Sequence, residues 1–293
     1  LLAKEKHKFK KIEINNFNSN INLKKFKKYN NFFKKKIDLI PITFKKGQIV
    51  FFEENNYVAK IDDAEINTKF GNDSTTIELN GKFLNDNIYI YLNKNFLDQE
   101  ENLAEIILKM SNSKLLSKVN FFNSKKDEKM ISGNILLKKD KYRFTSLFDY
   151  KNDELVITKS NLRNPFLDGK LEGKIIILPY FKFDMDLSLN SINFTKLYNY
   201  FLSLNEKDQK NFFKINNKIN GKLIFSTDKV YSKHNLIKSF ESRIKFHNGN
   251  IKIDQFLINL GKLGAADLLG AIETDKKFSK LKFESNIFVD NQK

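Results

Sequence analysis

The stretch Pro165–Ile192, PFLDGKLEGKIIILPYFKFDMDLSLNSI, decides the fold. In its second half Phe181, Phe183, Met185, Leu187 and Leu189 share one parity, and Lys182, Asp184, Asp186, Ser188 and Asn190 share the other. Successive side chains of a strand point to opposite faces, so this is a strand with one apolar and one wet face. Before it, Leu171, Gly173, Ile175 and Ile177 predict a second strand, and Leu178-Pro179-Tyr180 a short reversal. Proline gives no ladder hydrogen bond and suits a hairpin tip. The stretch therefore predicts an amphipathic antiparallel hairpin.

The same grammar recurs on both sides. Ile12/Ile14 and Ile21/Leu23 are period-two pairs in a basic segment, 1–46, whose lysine runs at 34–36 and 45–46 read as solvated strand edges. Strands are expected at Gln48–Glu53, Tyr57–Ile61, Thr75–Phe83 and Asn87–Leu92, separated by Asn, Asp and Gly clusters, within a first β-rich unit, 47–122. Leu103, Ile106, Ile107 and Met110 have helical spacing, with Asp98 and Glu101 as a cap and first-turn acid, so a helix is expected over 98–109 and a strand over 115–122. The competing reading makes Ile106–Met110 a strand as well, around the polar turn Asn112-Ser113. A second unit, 131–191, opens with strands at Ile131–Leu137, Tyr142–Phe148 and Glu154–Lys159. A helix at about 194–205 follows, capped by Thr195, with Leu197, Tyr200, Phe201 and Leu204 as its stripe.

The strand set then begins again in a third unit, 214–290. Ile131–Leu137 matches Ile219–Phe225, Asn152–Ile157 matches Asn248–Ile253, Gly169–Ile175 matches Ala266–Ile272, and Phe181–Leu189 matches Leu281–Val289. Such a unit exceeds the common solenoid repeats, and its amphipathic strands cannot bury an apolar face alone.

Composition narrows the function. With 41% hydrophobic residues and 29 Phe the chain is no disordered polymer. The net charge of +17 raises nucleic acid or an anionic membrane as partner. Arginine, however, stands only at 143, 163 and 243, and specific phosphate and base readout favours the bidentate guanidinium. The excess of Lys, Asn, Ile and Phe is what an AT-rich genome supplies, so nucleic acid is not the expected partner. There is no cysteine, which excludes disulfides and thiolate metal sites and suits an oxidising compartment. The longest clean apolar runs are the size of Ile175–Leu178, far below the roughly 20 residues of a spanning helix. The chain opens Leu-Leu and closes in mid-pattern, so a fragment is expected.

Catalytic constellations are missing. His7, His234 and His247 have no paired spacing, and no nucleophile–base pair can be nominated, so no enzyme, cofactor or metal is expected. Gly261-Lys262-Leu263-Gly264 and Gly270 lack the context of a phosphate loop and read as turn and close-approach positions. Asp184 and Asp186 share a wet face, where solvated charges belong.

The order of these motifs resembles the AsmA family of bacterial envelope proteins, most closely the AsmA-like C-terminal region, over residues 36–290. The residues carrying it are Gly133, Leu155, Ile157, Gly169, Gly173, Phe181–Ile192 with Asn193-Phe194-Thr195-Lys196-Leu197, and then Gly221, Gly249, Ile251, Ile253, Gly261 and Gly270. The resemblance, which extends to TamB-like and YhdP-like proteins, implies a periplasmic body held at the inner membrane by an N-terminal helix absent from this chain. It also implies an antiparallel sheet curled into an apolar groove, engaged in phospholipid transport to the outer membrane or in outer-membrane assembly.

The expected fold is thus mainly β with a few short helices, its repeated amphipathic antiparallel strands forming a curled, groove-like sheet. A closed β-sandwich is the alternative. The expected groove lining is Ile175, Ile177, Phe181, Phe183, Met185, Leu187, Leu189, Leu223, Phe225, Ile251, Ile253, Phe283 and Ile287. Its partners would be phospholipid acyl chains, with an anionic membrane surface and outer-membrane assembly proteins as further candidates. The competing functions are a basic nucleic-acid-binding protein and a structural β-repeat scaffold with a closed core.

Overall fold

A computed structural model describes residues 10–25, 40–71, 73–96, 102–124, 130–176, 181–211, 219–274 and 279–289. The chain is mainly β and divides into two units. One comprises Leu1–Lys125 with Ile135–Asp140, the other Lys126–Asn134 with Lys141–Lys293, and strand β9 (Ile131–Lys139) is shared between them.

In the first unit, β1 (Ile12–Asn15) and β2 (Asn18–Asn22) lie parallel to successive parts of β3 (Ile42–Glu53). An antiparallel meander then runs through β4 (Asn56–Phe70), β5 (Ser74–Phe83), β6 (Asp86–Asn95), β7 (Asn102–Met110) and β8 (Leu115–Asn123). The expected boundary at 46/47 falls inside β3. Gly47 is required there because a Cβ would lie 1.9 Å from Phe17 Cε1, so the missing side chain admits the Phe17 ring. Phe17 joins Ile49, Ile61, Ala64 and Ile88 in the core of this unit.

The helix expected over 98–109 is a strand from Asn102 onward, while Asp98 and Glu101 lie outside the described residues. Register explains the correction. Ile106, Leu108 and Met110 stand opposite Leu92, Ile90 and Ile88 on one side, and Val119, Ser117 and Leu115 on the other. A short apolar run carries both periods, and two flanking strands with matching apolar faces select the extended one. Asp86 secures the start of β6, accepting the backbone N–H of Asn112 at 2.7 Å and of Ser113 at 2.9 Å from the β7–β8 turn.

The second unit pairs β10 (Tyr142–Lys151), β11 (Glu154–Arg163), β12 (Leu167–Ile176) and β13 (Lys182–Asn193) antiparallel. Helices α1 (Phe194–Ser203) and α2 (Glu206–Asn211) then carry the chain to β14 (Asn220–Thr227), which lies parallel to β13. The two-residue strand β15 (Val230–Tyr231) extends that parallel edge. Next, β16 (Ser239–His247) pairs antiparallel with β14, and β17 (Asn250–Asn259), β18 (Ala265–Thr274) and β19 (Ser279–Phe288) follow as a meander. Among the described residues β10 and β19 do not pair, so this sheet is open. The reversal Leu178-Pro179-Tyr180 lies outside the described residues.

The internal repeat is visible strand by strand. Positive φ at Asn152 and Asp153, matched by Asn248 and Gly249, gives the same two-residue primed turn in each copy. A register shift between Leu147 and Phe148 is matched by one between Arg243 and Ile244. Gly173 stands between Ile157 and Met185, as Gly270 stands between Ile253 and Phe283. This register corrects the expected equivalence of the last strand by two residues, making Phe183–Leu189 the counterpart of Leu281–Ile287. A slip of two preserves strand parity, so an alternating pattern alone does not detect it.

The helix cap also differs from expectation. Asn193, not Thr195, is the N-cap, and its Oδ1 accepts the Lys196 N–H at 2.9 Å. The last β13 residue therefore doubles as the first cap of the crossover.

Candidate functional site

The apolar face of the second unit is built from rungs that cross the strands. One runs Leu155–Ile175–Phe183–Gly221–Phe246–Ile251–Ile272–Leu281. The next runs Phe148–Ile157–Gly173–Met185–Leu223–Ile244–Ile253–Gly270–Phe283. Further along, Leu171, Leu187, Phe225, Ser242, Phe256 and Leu268 are in register, then Gly169 and Leu189 with Thr227, Phe240, Ile258 and Ala266. Bulges in β10–β11 and β16–β17 each add one residue and thereby hold the apolar parity on one face.

Burial along these rungs is graded. At the end beside α1, Leu189, Ile192, Val230 and Phe240 form a buried cluster, with Phe194, Leu197 and Phe225 packed against it. Phe194 stacks on Phe240 at 5.9 Å, and Phe225 and Phe256 meet Phe240 edge-on at 5.0 and 5.3 Å. Further along the face, Ile175, Phe183, Leu223, Ile251 and Ile253 are only half-buried, as are Leu187 and Phe225 where they pack against that cluster, while Met185 is buried. Phe183 touches Phe181 and Phe246 with ring centres at 6.1 and 5.4 Å. The face is a floor of Phe, Ile and Leu closed at one end by a helix. In a sandwich a second layer would bury these same residues.

The structure places eleven of the thirteen expected lining residues on these rungs. Ile177 lies outside the described residues, and Phe181 just precedes β13 and is exposed. Leu189 belongs to the buried cluster, and Phe283 and Ile287 are exposed on β19. Sequence reasoning missed Phe246, Phe256 and Phe240, which line the same face; their period-two spacing with Ile244 and Ile258 was the available signal. An open depression of about 460 Å³ is lined largely by the opposite parity of β17–β19, Lys252, Asp254, Leu269, Ala271, Lys282 and Glu284, together with Ile253, Gly270 and Phe283.

Polar groups mark the other face. Asp184 and Asp186 are exposed, and Asp186 accepts the Ser188 hydroxyl at 2.7 Å. Asp254, the extra residue of the β16–β17 bulge, meets Lys245 Nζ at 2.6 Å and Lys252 Nζ at 3.1 Å. The Lys245 hydrogen bond, with help from Lys252, holds its carboxyl below the usual range against the opposing effect of burial. His247 is exposed beside Asn248, and His234 is exposed in a loop. Among the described residues no group of three metal-ligating side chains converges, and no helix is long and apolar enough to cross a membrane.

Compared with protein-family models, curated proteins and solved structures, the chain matches none.

Proposed function

We propose that the apolar face of the second unit is a trough for phospholipid acyl chains, in a non-enzymatic bacterial envelope protein of the AsmA kind. On this reading the body lies in the periplasm, held at the inner membrane by a segment outside this chain, and serves lipid transport to the outer membrane or its assembly. The observation that carries it is the run of half-buried Phe183, Leu187, Leu223, Phe225 and Ile253 across paired strands, closed at one end by Phe194 and Leu197. Apolar side chains that their own fold leaves half-covered on one continuous face offer a surface for an apolar ligand. Each methylene sheltered there is worth about 0.8 kcal/mol, so partial cover of one acyl chain supplies several kcal/mol. The exposed lysines suit anionic head groups.

The test is mass spectrometry of lipid co-purified with the full chain. Stoichiometric phospholipid, lost in Phe183→Asp or Leu187→Asp while the β circular-dichroism signal persists, is the expected result. A folded protein that neither carries lipid nor takes it up from vesicles overturns the reading, as does unfolding caused by those substitutions. Salt-steep binding to DNA at physiological ionic strength would point instead to the basic surface.

A further inference from the structure

Of the 52 basic residues only three are arginine, and the sheet brings two of them face to face. Arg143, near the start of β10, stands directly opposite Arg163, the last residue of β11. Both are exposed on the polar face of the second unit, in the parity opposite to Phe144 and Leu162. Among the described residues neither guanidinium has a hydrogen-bond or ion-pair partner. Asp168 is in register with Arg163 on β12 but makes no ion pair with it. The third arginine, Arg243, has Glu241 at 3.6 Å. The next pair along the same face, Thr145 and Asn161, is again directly opposed and supplies a hydroxyl and an amide.

Side chains directly opposed across an antiparallel pair have Cβ atoms only about 4.5–5.5 Å apart, and like charges placed there are destabilising. The repeat shows that the fold does not require them. When the turns Asn152-Asp153 and Asn248-Gly249 and the two register shifts are matched, Arg143 and Arg163 correspond to Ser239 and Asn259. Those residues are opposed in the same way between β16 and β17. Thr145 and Asn161 correspond to Glu241 and Leu257, and Asp168 corresponds to Ala265. One copy thus carries a neutral pair followed by an acid. The other carries two unpaired guanidinium groups followed by neutral hydrogen-bonding groups. An anion held between the two arginines accounts for a repulsion that the other copy does without.

We propose that Arg143 and Arg163 clamp a phosphate group, with the Thr145 hydroxyl and the Asn161 amide as further donors. A guanidinium fork meets phosphate oxygens bidentately, which an ammonium does not. Two forks from adjacent strands converge on more acceptor oxygens than one carboxylate offers, so phosphate is the better match. The bound anion also cancels the repulsion between the forks. The ligand is a phosphate ester or free phosphate, and its source is either a lipid head group or a soluble molecule. This site lies on the face opposite the trough, so it is independent of any acyl chain bound there.

The test uses the full chain, whose three arginines give three guanidinium Nε–H signals in a proton–nitrogen correlation spectrum. Inorganic phosphate, added against sodium chloride of equal ionic strength, should shift the Arg143 and Arg163 signals saturably and leave that of Arg243 in place. The neutral variant, Arg143→Ser with Arg163→Asn, installs the pair found in the other copy, so it should keep the parent circular dichroism and lose phosphate binding. The lysine variant, Arg143→Lys with Arg163→Lys, keeps the charge but not the forks and should bind several-fold more weakly. Cosedimentation with phosphatidylcholine vesicles containing phosphatidic acid identifies the source. Its loss in the neutral variant assigns the phosphate to a lipid head group. Unchanged cosedimentation, with saturable binding of inorganic phosphate, assigns it to a soluble ligand. The proposal is overturned by the absence of a shift, by equal movement of all three signals, by undiminished phosphate binding in the neutral variant, or by a lysine variant that binds as tightly as the parent.

Discussion

Gly173 stands directly across from Met185, and its lack of a side chain is what lets the two strands meet. A Cβ on Gly173 would lie 2.8 Å from Met185 Cα and 2.2 Å from the Asp184 carbonyl oxygen, and the residue has φ +133°. Both the contact and the dihedral exclude other residues. Gly270 holds the equivalent place beside Phe283 with a looser approach, 2.8 Å to the Lys282 oxygen, and without the positive φ.

The pair makes a controlled comparison. Gly173→Ala should lower unfolding free energy by roughly 1–3 kcal/mol in urea titration, the range for backbone strain at a fixed position. Gly270→Ala should cost less, because only a contact on the outermost strand must give. Equal effects would show that β18–β19 is as tightly built as β12–β13.

The repeat also predicts unequal costs for truncating matched apolar residues. Leu189 is 2% exposed and central to the cluster under α1, so Leu189→Ala should cost about 2–5 kcal/mol. Its counterpart Ile287 is 67% exposed, so Ile287→Ala should stay within about 0.5 kcal/mol. The two variants should therefore part widely in chemical denaturation, although their positions share one sequence pattern.

That contrast shows what was legible in the sequence. Alternation from Phe181 to Asn190 identifies the strand, its parity and its apolar face, and the recurrence of Gly173 as Gly270 identifies the repeat. Alternation is the same whether a face is covered, half-covered or bare, so the fates of Leu189, Phe183 and Phe283 were not readable from it. Those depend on α1 and β14, partners brought in by the crossover. The segment around Ile106 misled for a related reason. Its helical spacing is genuine, but the matching edges of β6 and β8 outweigh a weak local preference.

The crossover helix depends on a cap that the sequence reading placed at Thr195 and the structure places at Asn193. Asn193 Oδ1 accepts the Lys196 N–H, and Thr195 lies inside the first turn. Asn193→Ala should destabilise the protein by about 1 kcal/mol, and Thr195→Ala should change little. Because Phe194 and Leu197 of α1 pack against the cluster around Leu189, Asn193→Ala should also speed amide exchange at Phe194 and Leu197 before it affects β17–β18.

The last prediction concerns acid. Lys245 and Lys252 are directly opposed across β16 and β17, a repulsive arrangement that Asp254 relieves by meeting both ammonium groups from the bulge. The matching bulge residue of the first copy is Thr158, so no carboxylate is needed for the bulge itself. Asp254 has a folded pKa below its ordinary value, so its contribution is fully present above the unfolded carboxylate pKa, about 3.9. It is lost as pH falls through the lower folded value. Asp254→Asn should therefore be less stable than the parent at pH 7, by at most about 1 kcal/mol given how exposed both lysines are. The deficit should shrink with added salt, begin to shrink as pH falls below about 4, and close only once pH has passed below the lowered folded value. A deficit that persists unchanged through that acid range would mean Asp254 acts by shape and hydrogen bonding in the bulge rather than by its charge.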